Sequence, residues 1–580
     1  MFIDQLKSYL NNKNLISVII LFFLWIIFTV IELVGITSIP IFLSLFLENS
    51  ISIKVPFLNN YLTSITSIEK KNLFMYFILL IVLLFFIKSL FFSFLVYFEQ
   101  ITFKSITTDV KKRTFTYYFN LPFKDHLKLN SSDLLRIITL DTSNAISYVQ
   151  NVISLSTQIL LTSSISIYLL YIDFSLTLIV ILFFSIILLT IYFYSGNKLS
   201  LFGKLKQKFA GEGIKIINEG VINIKEVIIY KKINFLISLY TEKQKVQQDQ
   251  VLKINLIKRL PRGLYEFLAI SFIMFILAFK ILYNGESVES SIVFISLLVF
   301  ALARLLPAVN LINLNISAIK SCEYSFVLIY ENLIRLKILQ ENKKIKSDNF
   351  KFKNEINFDN VSFSYKKNRQ LLKNLSFKIK KNNIVGIFGE SGCGKSTILN
   401  LLTGLLSPTN GNILIDEKNL ENEIDSWQSK IGYIPQDNFL LDDTIKKNII
   451  FSDELEEFDE DKFKTVTSIA SLKSFISLQE EGIETKIGDR GINISGGQRQ
   501  RIGIARALYA NPEILIFDEA TSALDRDTEK EILDNIYSIK DKTIVIISHK
   551  LKNLARCHKI FQVKNKNILE LDKALIEDIK

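Results

Sequence analysis

Residues 384–397 read Ile-Val-Gly-Ile-Phe-Gly-Glu-Ser-Gly-Cys-Gly-Lys-Ser-Thr. The apolar run Ile384 to Phe388 predicts a buried strand, and the pattern from Thr397 to Leu402 predicts a helix. A glycine-rich turn ending in Lys-Ser-Thr between a strand and a helix is the arrangement of a phosphate-binding P-loop, whose N–H groups converge on phosphate at the positive end of the helix. We therefore predict a nucleotide site, with the Ser396 hydroxyl on Mg²⁺, formed by Gly389, Ser391, Gly392, Cys393, Gly394, Lys395, Ser396 and Thr397.

A second apolar run in this half ends in two acidic residues. Ile514 to Phe517 predicts a strand, and Asp518 and Glu519 follow it. An Asp-Glu strand end is common by itself, but beside a P-loop it predicts a nucleotide-hydrolysing site. We expect Asp518 to hold Mg²⁺ through water and Glu519 to orient and polarise the attacking water. Short β-rich runs alternate with helical segments throughout this half, which predicts an α/β domain with buried parallel strands.

Between these two runs lies Ile494-Ser495-Gly496-Gly497-Gln498, followed by a basic helix. This segment resembles the signature motif of ABC transporter ATPases, and the other motifs of that family follow in order over about residues 350–580. The resemblance implies that Tyr365 stacks on adenine, that Gln436 is a catalytic and metal-binding Q-loop glutamine, and that His549 is a catalytic switch histidine. It also implies an exporter-type loop at 488–491 and a D-loop at 522–525 that brings Asp525 to the nucleotide. The signature residues expected to contact nucleotide are Ser495, Gly496, Gly497 and Gln498. Ile494 and Lys550 replace the usual Leu and Arg, and both keep the chemical type.

Two separated glycine motifs indicate that one subunit completes the site of another. Gly496 and Gly497 leave backbone donors bare at a helix N-terminus, which suits a γ-phosphate held by a second P-loop. The resemblance implies a head-to-tail pair of domains with ATP between them. Because one chain carries one complete set of motifs, we expect a homodimer. A heterodimer is less favoured, since such pairs often carry a degraded site.

The composition excludes a purely soluble, disordered or disulfide-framed protein. The 580 residues are 49% hydrophobic, include 46 Phe and only 3 Cys, and have a mean hydropathy of +0.30. Six apolar stretches are long enough to cross about 30 Å of hydrocarbon as helices. These predicted spans are residues 15–46, 73–98, 148–172, 174–195, 261–283 and 290–318.

The excess of positive charge lies in the apolar half. Residues 1–350 carry 35 Lys and Arg against 22 Asp and Glu, whereas the remaining residues carry 34 against 35. Basic loops between apolar spans indicate a cytoplasmic membrane face rather than a nucleic-acid partner. Segments 99–147 and 197–260 are therefore predicted to be cytoplasmic, with the ATPase domain on the same side of a bacterial cytoplasmic membrane.

These observations predict a multi-domain membrane protein. Residues 1–334 form an all-α, six-helix transmembrane domain of the ABC exporter type, 335–354 a linker, and 355–580 an α/β P-loop nucleotide-binding domain. The two long cytoplasmic segments are expected to bend back through short connecting pieces near 121–134 and 233–240. Through these pieces, ATP-driven closure would rock the spans between two states.

Three basic residues lie within predicted spans, where charge is costly and therefore indicates function. They are Lys88, Arg262 and Arg304. Counting from the span ends places all three in the inner half of the bilayer, where they could receive the head group of an anionic lipid. The alternative for Arg262 is that its side chain only reaches the interface.

The membrane half carries a second resemblance, to the bacterial flippases for the lipid-linked oligosaccharides of protein N-glycosylation. It rests on Pro261-Arg262 with Glu266, and on residues 301–307 with Asn310. That family also has an amphipathic helix on the outer face, and residues 57–65 are spaced either for such a helix or for a plain loop. The resemblance implies a polyprenyl-pyrophosphate-linked glycan as cargo, moved to the outer leaflet.

Two other functions stay open. The first is export of peptides or hydrophobic drugs, which an aromatic, uncharged cavity would favour. The second is a membrane-anchored regulatory ATPase, for which we would expect degraded catalytic residues or an added regulatory domain. Neither feature occurs in this sequence.

Overall fold

The computed structural model describes residues 2–47, 70–172, 174–283, 288–343, 351–366, 369–452, 458–488, 491, 493–521 and 524–571. The chain divides into two compact units. The first is Met1–Leu121 with Lys128–Gln340, and the second is Pro122–Leu127 with Glu341–Lys580. The predicted outer helix at 57–65 lies outside the described residues.

The first unit is helical. Its helices are α1 (Phe2–Tyr9), α2 (Asn12–Leu47), α3 (Lys70–Phe119), α5 (Ser131–Arg136), a π-helical turn (Ile137–Asp141), α6 (Thr142–Ile172), α7 (Phe174–Ile222), α8 (Ile224–Ile229), α9 (Ile233–Arg259), α10 (Pro261–Tyr283) and α11 (Val288–Lys343). The short helix α4 (Phe123–His126) interrupts this series and groups with the second unit.

Each predicted span falls within one of the long helices α2, α3, α6, α7, α10 and α11. A helix satisfies its own backbone hydrogen bonds, so an apolar helix can enter hydrocarbon without orphaned polar groups. Within the described residues, three segments are long and apolar enough to cross a membrane: Asn12–Ser38, Phe74–Phe119 and Ser131–Tyr171. The helices also extend well beyond the apolar stretches, as α3 and α11 show most clearly.

Two details differ from the prediction. The second connecting piece is not at 233–240, which is the start of the long helix α9; the short helix α8 precedes it. The 335–354 segment is not a linker throughout, because α11 continues to Lys343. In both places the side-chain pattern is compatible with a helix, so the amino-acid composition did not show where the helix begins or ends.

The second unit is α/β. Its strands are β1 (Glu355–Lys366), β2 (Arg369–Lys380), β3 (Ile384–Phe388), β4 (Asn410–Ile415), β5 (Lys418–Asn419), β6 (Ile431–Ile434), β7 (Ile514–Asp518), β8 (Thr543–Ile547), β9 (Lys559–Lys564) and β10 (Asn567–Glu570). Its helices after α4 are α12 (Lys395–Leu402), α13 (Ile424–Gln428), α14 (Ile445–Ile450), α15 (Glu460–Ile469), α16 (Lys473–Ser477), α17 (Gly496–Tyr509) and α18 (Arg526–Tyr537).

Two sheets organise this unit. A four-stranded antiparallel sheet has the order β2-β1-β4-β5, and a six-stranded sheet has the order β10-β9-β3-β8-β7-β6. In the larger sheet, β9, β3, β8, β7 and β6 pair in parallel, and β10 pairs antiparallel to β9. The predicted strands at 384–388 and 514–517 are confirmed as central strands of this sheet, on either side of β8.

The central strands are buried on both faces. Their alternate residues enter two apolar clusters: Val385, Ile387, Val545 and Ile547 face one, while Ile384, Ile544 and Ile546 face the other. A parallel strand covered on both sides must be apolar throughout, which explains its unbroken hydrophobic sequence. Phe123 of α4 packs against the first cluster, so a residue from the N-terminal half of the chain helps to cover this core.

Trp427 provides a test of this packing. Its side chain is fully buried, its ring lies 5.7 Å from that of Phe352, and its Nε1 donates to the Leu402 carbonyl at 2.7 Å. We expect Trp427→Phe to cost about 1–3 kcal/mol through the orphaned carbonyl. Trp427→Ala should cost about 3–5 kcal/mol because it also leaves a cavity.

The apparent Tm of the full chain in detergent measures both effects. The exposed Phe439 provides the control, since Phe439→Ala should leave the Tm nearly unchanged. Equal Tm values for Trp427→Ala and Phe439→Ala would contradict this account of the core.

Candidate nucleotide site and membrane cavity

The candidate nucleotide site lies where four neighbouring parallel strands end. The P-loop follows β3, His549 follows β8, Asp518 and Glu519 end β7, and Gln436 follows β6. The register aligns these ends, because Ile547 pairs with both Ile387 and Asp518. In open α/β sheets, ligands bind outside the carboxyl ends of the strands. The topology therefore gathers residues that are far apart in sequence at one edge.

The P-loop is shaped as a cradle. Gly392 and Gly394 have φ angles of +77° and +108°, which favour glycine, and Gly394 is the N-cap of α12. A Cβ on Gly394 would lie 2.8 Å from a methyl carbon of Leu372, so a larger residue does not fit there. Lys395 is buried, and its Nζ donates to the carbonyls of Gly389 and Glu390 at 2.8 and 2.9 Å. These bonds hold the lysine inside the curve of the loop.

Glu519 and His549 lie in direct contact. His549 Nε2 is 2.6 Å from Glu519 Oε1, and Lys395 Nζ is 3.8 Å from the same oxygen. The backbone of Glu519 is left-handed, with φ of 52°, and its N–H donates to the Ile547 carbonyl at 3.2 Å. A left-handed non-glycine residue is uncommon and is often found at functional sites. Here the conformation occurs where the chain leaves β7 and the carboxylate meets the histidine.

The Asp518 carboxylate has a partner that the sequence analysis missed. Tyr433 on β6 donates its hydroxyl hydrogen to Asp518 Oδ2 at 3.1 Å. Burial raises the pKa of Asp518 above its ordinary value, and the Tyr433 hydrogen bond opposes that rise. Burial also raises the pKa of the Tyr433 hydroxyl, with the neighbouring Asp518 charge as the second cause. Tyr433 lies only three residues before Gln436 but 85 residues before Asp518, and nothing in the sequence of either segment indicates this contact.

The other predicted nucleotide residues are placed as follows. The Tyr365 ring is half-exposed at the end of β1, and its hydroxyl lies 3.3 Å from Thr397 Oγ1, which puts it beside the P-loop. Ser391, Ser396 and Gln436 are exposed, and Cys393 is half-buried. The arrangement leaves these polar groups accessible at the edge of the sheet.

The signature segment forms the start of α17. Ser495 is its N-cap, and a capping box joins Ser495 to Gln498. Ser495 and Gly496 are exposed. Within the part of the chain that the structure describes, no hydrogen bond or ion pair joins residues 495–498 to the P-loop. The single chain thus presents this helix start to its surroundings, rather than to its own P-loop.

Asp525 and Glu529 belong to the helix that follows the D-loop. Asp525 is the N-cap of α18, and the Thr528 N–H that it accepts lowers the pKa of its carboxyl group. Ser522 lies outside the described residues. Glu529 was not predicted as a site residue.

The Glu529 carboxylate is buried and accepts three hydrogen bonds. The donors are Thr521 Oγ1 at 2.9 Å, Lys550 Nζ at 2.9 Å and Asn553 Nδ2 at 2.8 Å. Thr521 follows Glu519 closely in sequence, and Lys550 follows His549 directly. One buried carboxylate therefore ties the chain after Glu519 to the chain after His549.

The oxygen-bearing side chains near the P-loop and the strand ends are suitable ligands for Mg²⁺ that is bound together with nucleotide phosphates. Among the described residues, no group of three or more His, Cys, Asp and Glu could hold a metal ion. Mg²⁺ at a phosphate site needs only one or two carboxylates and hydroxyl or water ligands in addition to the phosphates. Ser396, Gln436 and Asp518 can supply these groups.

In the membrane half, Lys88 is ion-paired. Its Nζ lies 2.7 Å from Glu32 Oε2, and the two side chains are 9% and 2% exposed. Both residues line a cavity of about 400 Å³. Counting from the outer ends of the predicted spans, at residues 46 and 73, places Glu32 about 21 Å and Lys88 about 22 Å from the outer face. The predicted span limits thus put both groups at the same depth, in agreement with their contact.

Of the other two predicted cations, Arg262 is not among the described residues that line this cavity. Arg262 Nε donates to Glu266 Oε1 at 2.9 Å, and this side chain is 69% exposed. Arg304 lies within α11, and its side chain is outside the described residues. Glu32 was missed in the sequence analysis because its role appears only when α2 and α3 are packed together.

Comparison with known proteins adds family evidence for both halves. The family described as the ABC transporter transmembrane region matches residues 19–305, and the family described as ABC transporter matches residues 372–522. A mitochondrial iron-sulfur clusters transporter, Atm1, of Aspergillus fumigatus is 32% identical over 64% of this chain and 51% of its own length. The leukotoxin translocation ATP-binding protein of Mannheimia haemolytica is 40% identical over 38% of this chain and 31% of its own length. The chain thus spans about half or less of these curated relatives in the aligned regions.

A solved structure shows the same fold. A bacterial Atm1-family ABC exporter with ATP bound superposes with a TM-score of 0.78, over 98% of this chain and 97% of that chain, at 21% identity. The two family matches cover residues 19–305 and 372–522, which together make up most of the chain. The chain belongs to the ABC transporters, as a multi-pass membrane half-transporter whose exporter-type helical domain precedes an α/β nucleotide-binding domain.

Proposed function

We propose that this protein is an ATP-driven exporter, in which ATP hydrolysis at the nucleotide site moves an amphipathic molecule from the inner to the outer leaflet. The observation that carries this proposal is the cluster of Lys395, Glu519 and His549, joined at 3.8 and 2.6 Å at the ends of β3, β7 and β8. The same elements that hold these groups are the central strands of a rigid sheet.

Binding of nucleotide is assigned to one edge of the second unit. The P-loop N–H groups and Lys395 bind the phosphates, and the face of Tyr365 stacks on adenine. Ser396, Gln436 and Asp518 hold Mg²⁺, which when bound neutralises charge on the phosphate oxygens. The bonds from Lys395 to the loop carbonyls already place its charge where the phosphates enter.

Activation of water is assigned to Glu519. Its carboxylate accepts a proton from the attacking water, and the Nε2 contact with His549 fixes the orientation of the carboxylate. The Tyr433 hydroxyl orients Asp518 in the same way. These roles need no movement of the sheet, because each group is attached to a strand end.

Assembly as a homodimer follows from the exposed start of α17. Ser495, Gly496, Gly497 and Gln498 present helix N–H groups that can meet a phosphate held by a second copy. Asp525 begins the helix that follows the D-loop. The complete set of motifs in one chain supports two equal sites, and a heterodimer is the less favoured alternative. By the sequence charge pattern, we place the dimer in a bacterial cytoplasmic membrane with the nucleotide domains in the cytoplasm.

The specific cargo that the sequence proposes is an anionic lipid, with a polyprenyl-pyrophosphate-linked oligosaccharide as the best match. The structure supports an amphipathic cargo through the aromatic cavity beside Lys88. Glu32 and Glu266 neutralise two of the three predicted cations, so the positive charge offered to an anion is smaller than the sequence suggests. Export of peptides or drugs is the second candidate, favoured by the aromatic lining. A purely regulatory ATPase is least favoured because the predicted catalytic groups are all present.

Glu519→Gln tests the proposed ATPase. Removing the general base should lower turnover by about 10²-fold or more. ATP binding should stay within about threefold, since the P-loop is unchanged. Turnover in liposomes and binding of a fluorescent ATP analogue measure the two effects separately. Lys395→Ala is the contrasting variant, because it should lose binding; unchanged turnover in Glu519→Gln would exclude Glu519 as the base.

The substitution Glu529→Ala is expected to lower the rate of ATP turnover without lowering the affinity for nucleotide. Glu529→Ala leaves three donors without their acceptor and frees the loops that carry Glu519 and His549. A positioning loss of about 1.4 kcal/mol would reduce kcat about tenfold with KM for ATP nearly unchanged. Lys550→Arg keeps the charge partner and should remain close to wild type. A parallel rise in KM would indicate general damage to the site instead.

The anionic cargo is tested by flipping of a polyprenyl-pyrophosphate glycan in proteoliposomes. Lys88→Gln with Arg304→Gln should abolish flipping, because an anionic head group loses its cations, while ATP turnover without cargo persists. Lys245→Gln with Lys253→Gln, two changes on the predicted cytoplasmic helix α9, is the matched loss of two cations. Undiminished flipping in the double variant would reject the anion pathway.

A further inference from the structure

The cavity in the first unit combines aromatic walls with one buried ion pair. It lies between α2, α3, α6 and α11, and its described lining includes Trp25, Phe28, Phe85 and Phe92 beside Glu32 and Lys88. Ser89 and Gln158 add two uncharged polar groups. A volume of about 400 Å³ is within the range that accepts a drug-sized molecule or a lipid head group with the start of its chain.

The ion pair is costly for a purely structural link. Removing two charges from water carries a penalty that their attraction often fails to offset, and apolar residues of similar size join helices equally well. Charged residues inside a membrane domain are for this reason functional by default. Lys88 Nζ also lies 5.1 Å from the centre of the Phe85 ring, so the cation keeps a second favourable contact if the carboxylate shifts.

We propose that this cavity binds the head group of a zwitterionic amphiphile, with its phosphate or carboxylate at Lys88 and its ammonium group at Glu32. This inference rests on the proposed exporter function, and for the charge class of the cargo it replaces the purely anionic head group proposed from the sequence by a zwitterionic one. A head group that carries both charges can replace both halves of the pair, whereas a purely anionic one must lie beside the Glu32 carboxylate.

The aromatic walls favour the same class. Faces of Trp and Phe attract ammonium groups, and quaternary ammonium ligands are commonly held in aromatic cages. Trp25 and Phe28 belong to the same helix as Glu32, so the proposed cation subsite is built mainly from α2. Phe85 and Ser89 flank Lys88 on α3, which forms the anion subsite. Specificity then comes from repulsion of the wrong charge as well as attraction of the right one.

The test is a binding measurement that does not depend on ATP. Trp25 lines the cavity, and the second tryptophan, Trp427, is buried in the other unit, so the change in fluorescence on binding is assigned to Trp25. The full-length protein in a nonionic maltoside micelle is titrated with three twelve-carbon probes: dodecylphosphocholine, dodecyl phosphate and dodecyltrimethylammonium. Trp25→Phe is the control that must remove the signal.

We expect the zwitterionic probe to bind wild type about tenfold more tightly than either singly charged probe, which corresponds to ~1.4 kcal/mol. Glu32→Gln should shift the preference to dodecyl phosphate, and Lys88→Met should shift it to the ammonium probe. The reversed pair, Glu32→Lys with Lys88→Glu, keeps both charges and should keep the zwitterion preference, which shows that the fold tolerates changes here.

An identical order of the three probes in all variants, or no Trp25 signal with any probe, would overturn the inference and leave the ion pair as a link between helices. Stimulation of ATP turnover by the same probes is measured in parallel. Binding with the expected preferences in a protein that hydrolyses no ATP would refute the proposed function alone, so the two failures are distinguishable.

Discussion

The hydrogen-bonded register of β3, β8 and β7 fixes the positions of the predicted site residues in the second unit. Ile547 of β8 pairs with Ile387 on one side and with Asp518 on the other. The first residues beyond these strands are the start of the P-loop, Ser548 before His549, and Glu519. Because these strands are apolar on both faces, the close packing of individual side chains in the two clusters, rather than an alternation of apolar and polar residues, holds this alignment. The arrangement of the predicted site residues is thus a direct result of core packing.

Polar contacts also connect the segments that follow the strands. Glu529 joins the segments after Glu519 and after His549, and Tyr433 joins β6 to the carboxylate at the end of β7. Each contact links two of the four strand ends. A structural change in one loop, such as that caused by phosphate binding, is therefore transmitted to the neighbouring loops through short chains of hydrogen bonds.

Local and distant features differed in how well sequence alone predicted them. The P-loop, the Asp-Glu strand end and the signature segment are contiguous, so their chemistry is visible in a few residues, and their helices and strands were predicted closely. Glu32 and Lys88 meet only after α2 and α3 pack, and nothing in either segment identifies the partner of the other. Glu529 sits in an ordinary polar helix pattern. The connecting helix α8 was displaced for another reason: residues 221–240 contain no Pro or Gly to mark where one helix ends and the next begins.

The position of α4 has a consequence for work with fragments. Phe123 comes from the first half of the chain, yet it covers part of the apolar core of the second unit. A C-terminal fragment produced from residue 341 onward would expose that patch to water, and exposed apolar patches promote association. Solubility of such a fragment should therefore improve when a peptide spanning residues 120–128 is supplied or fused to it.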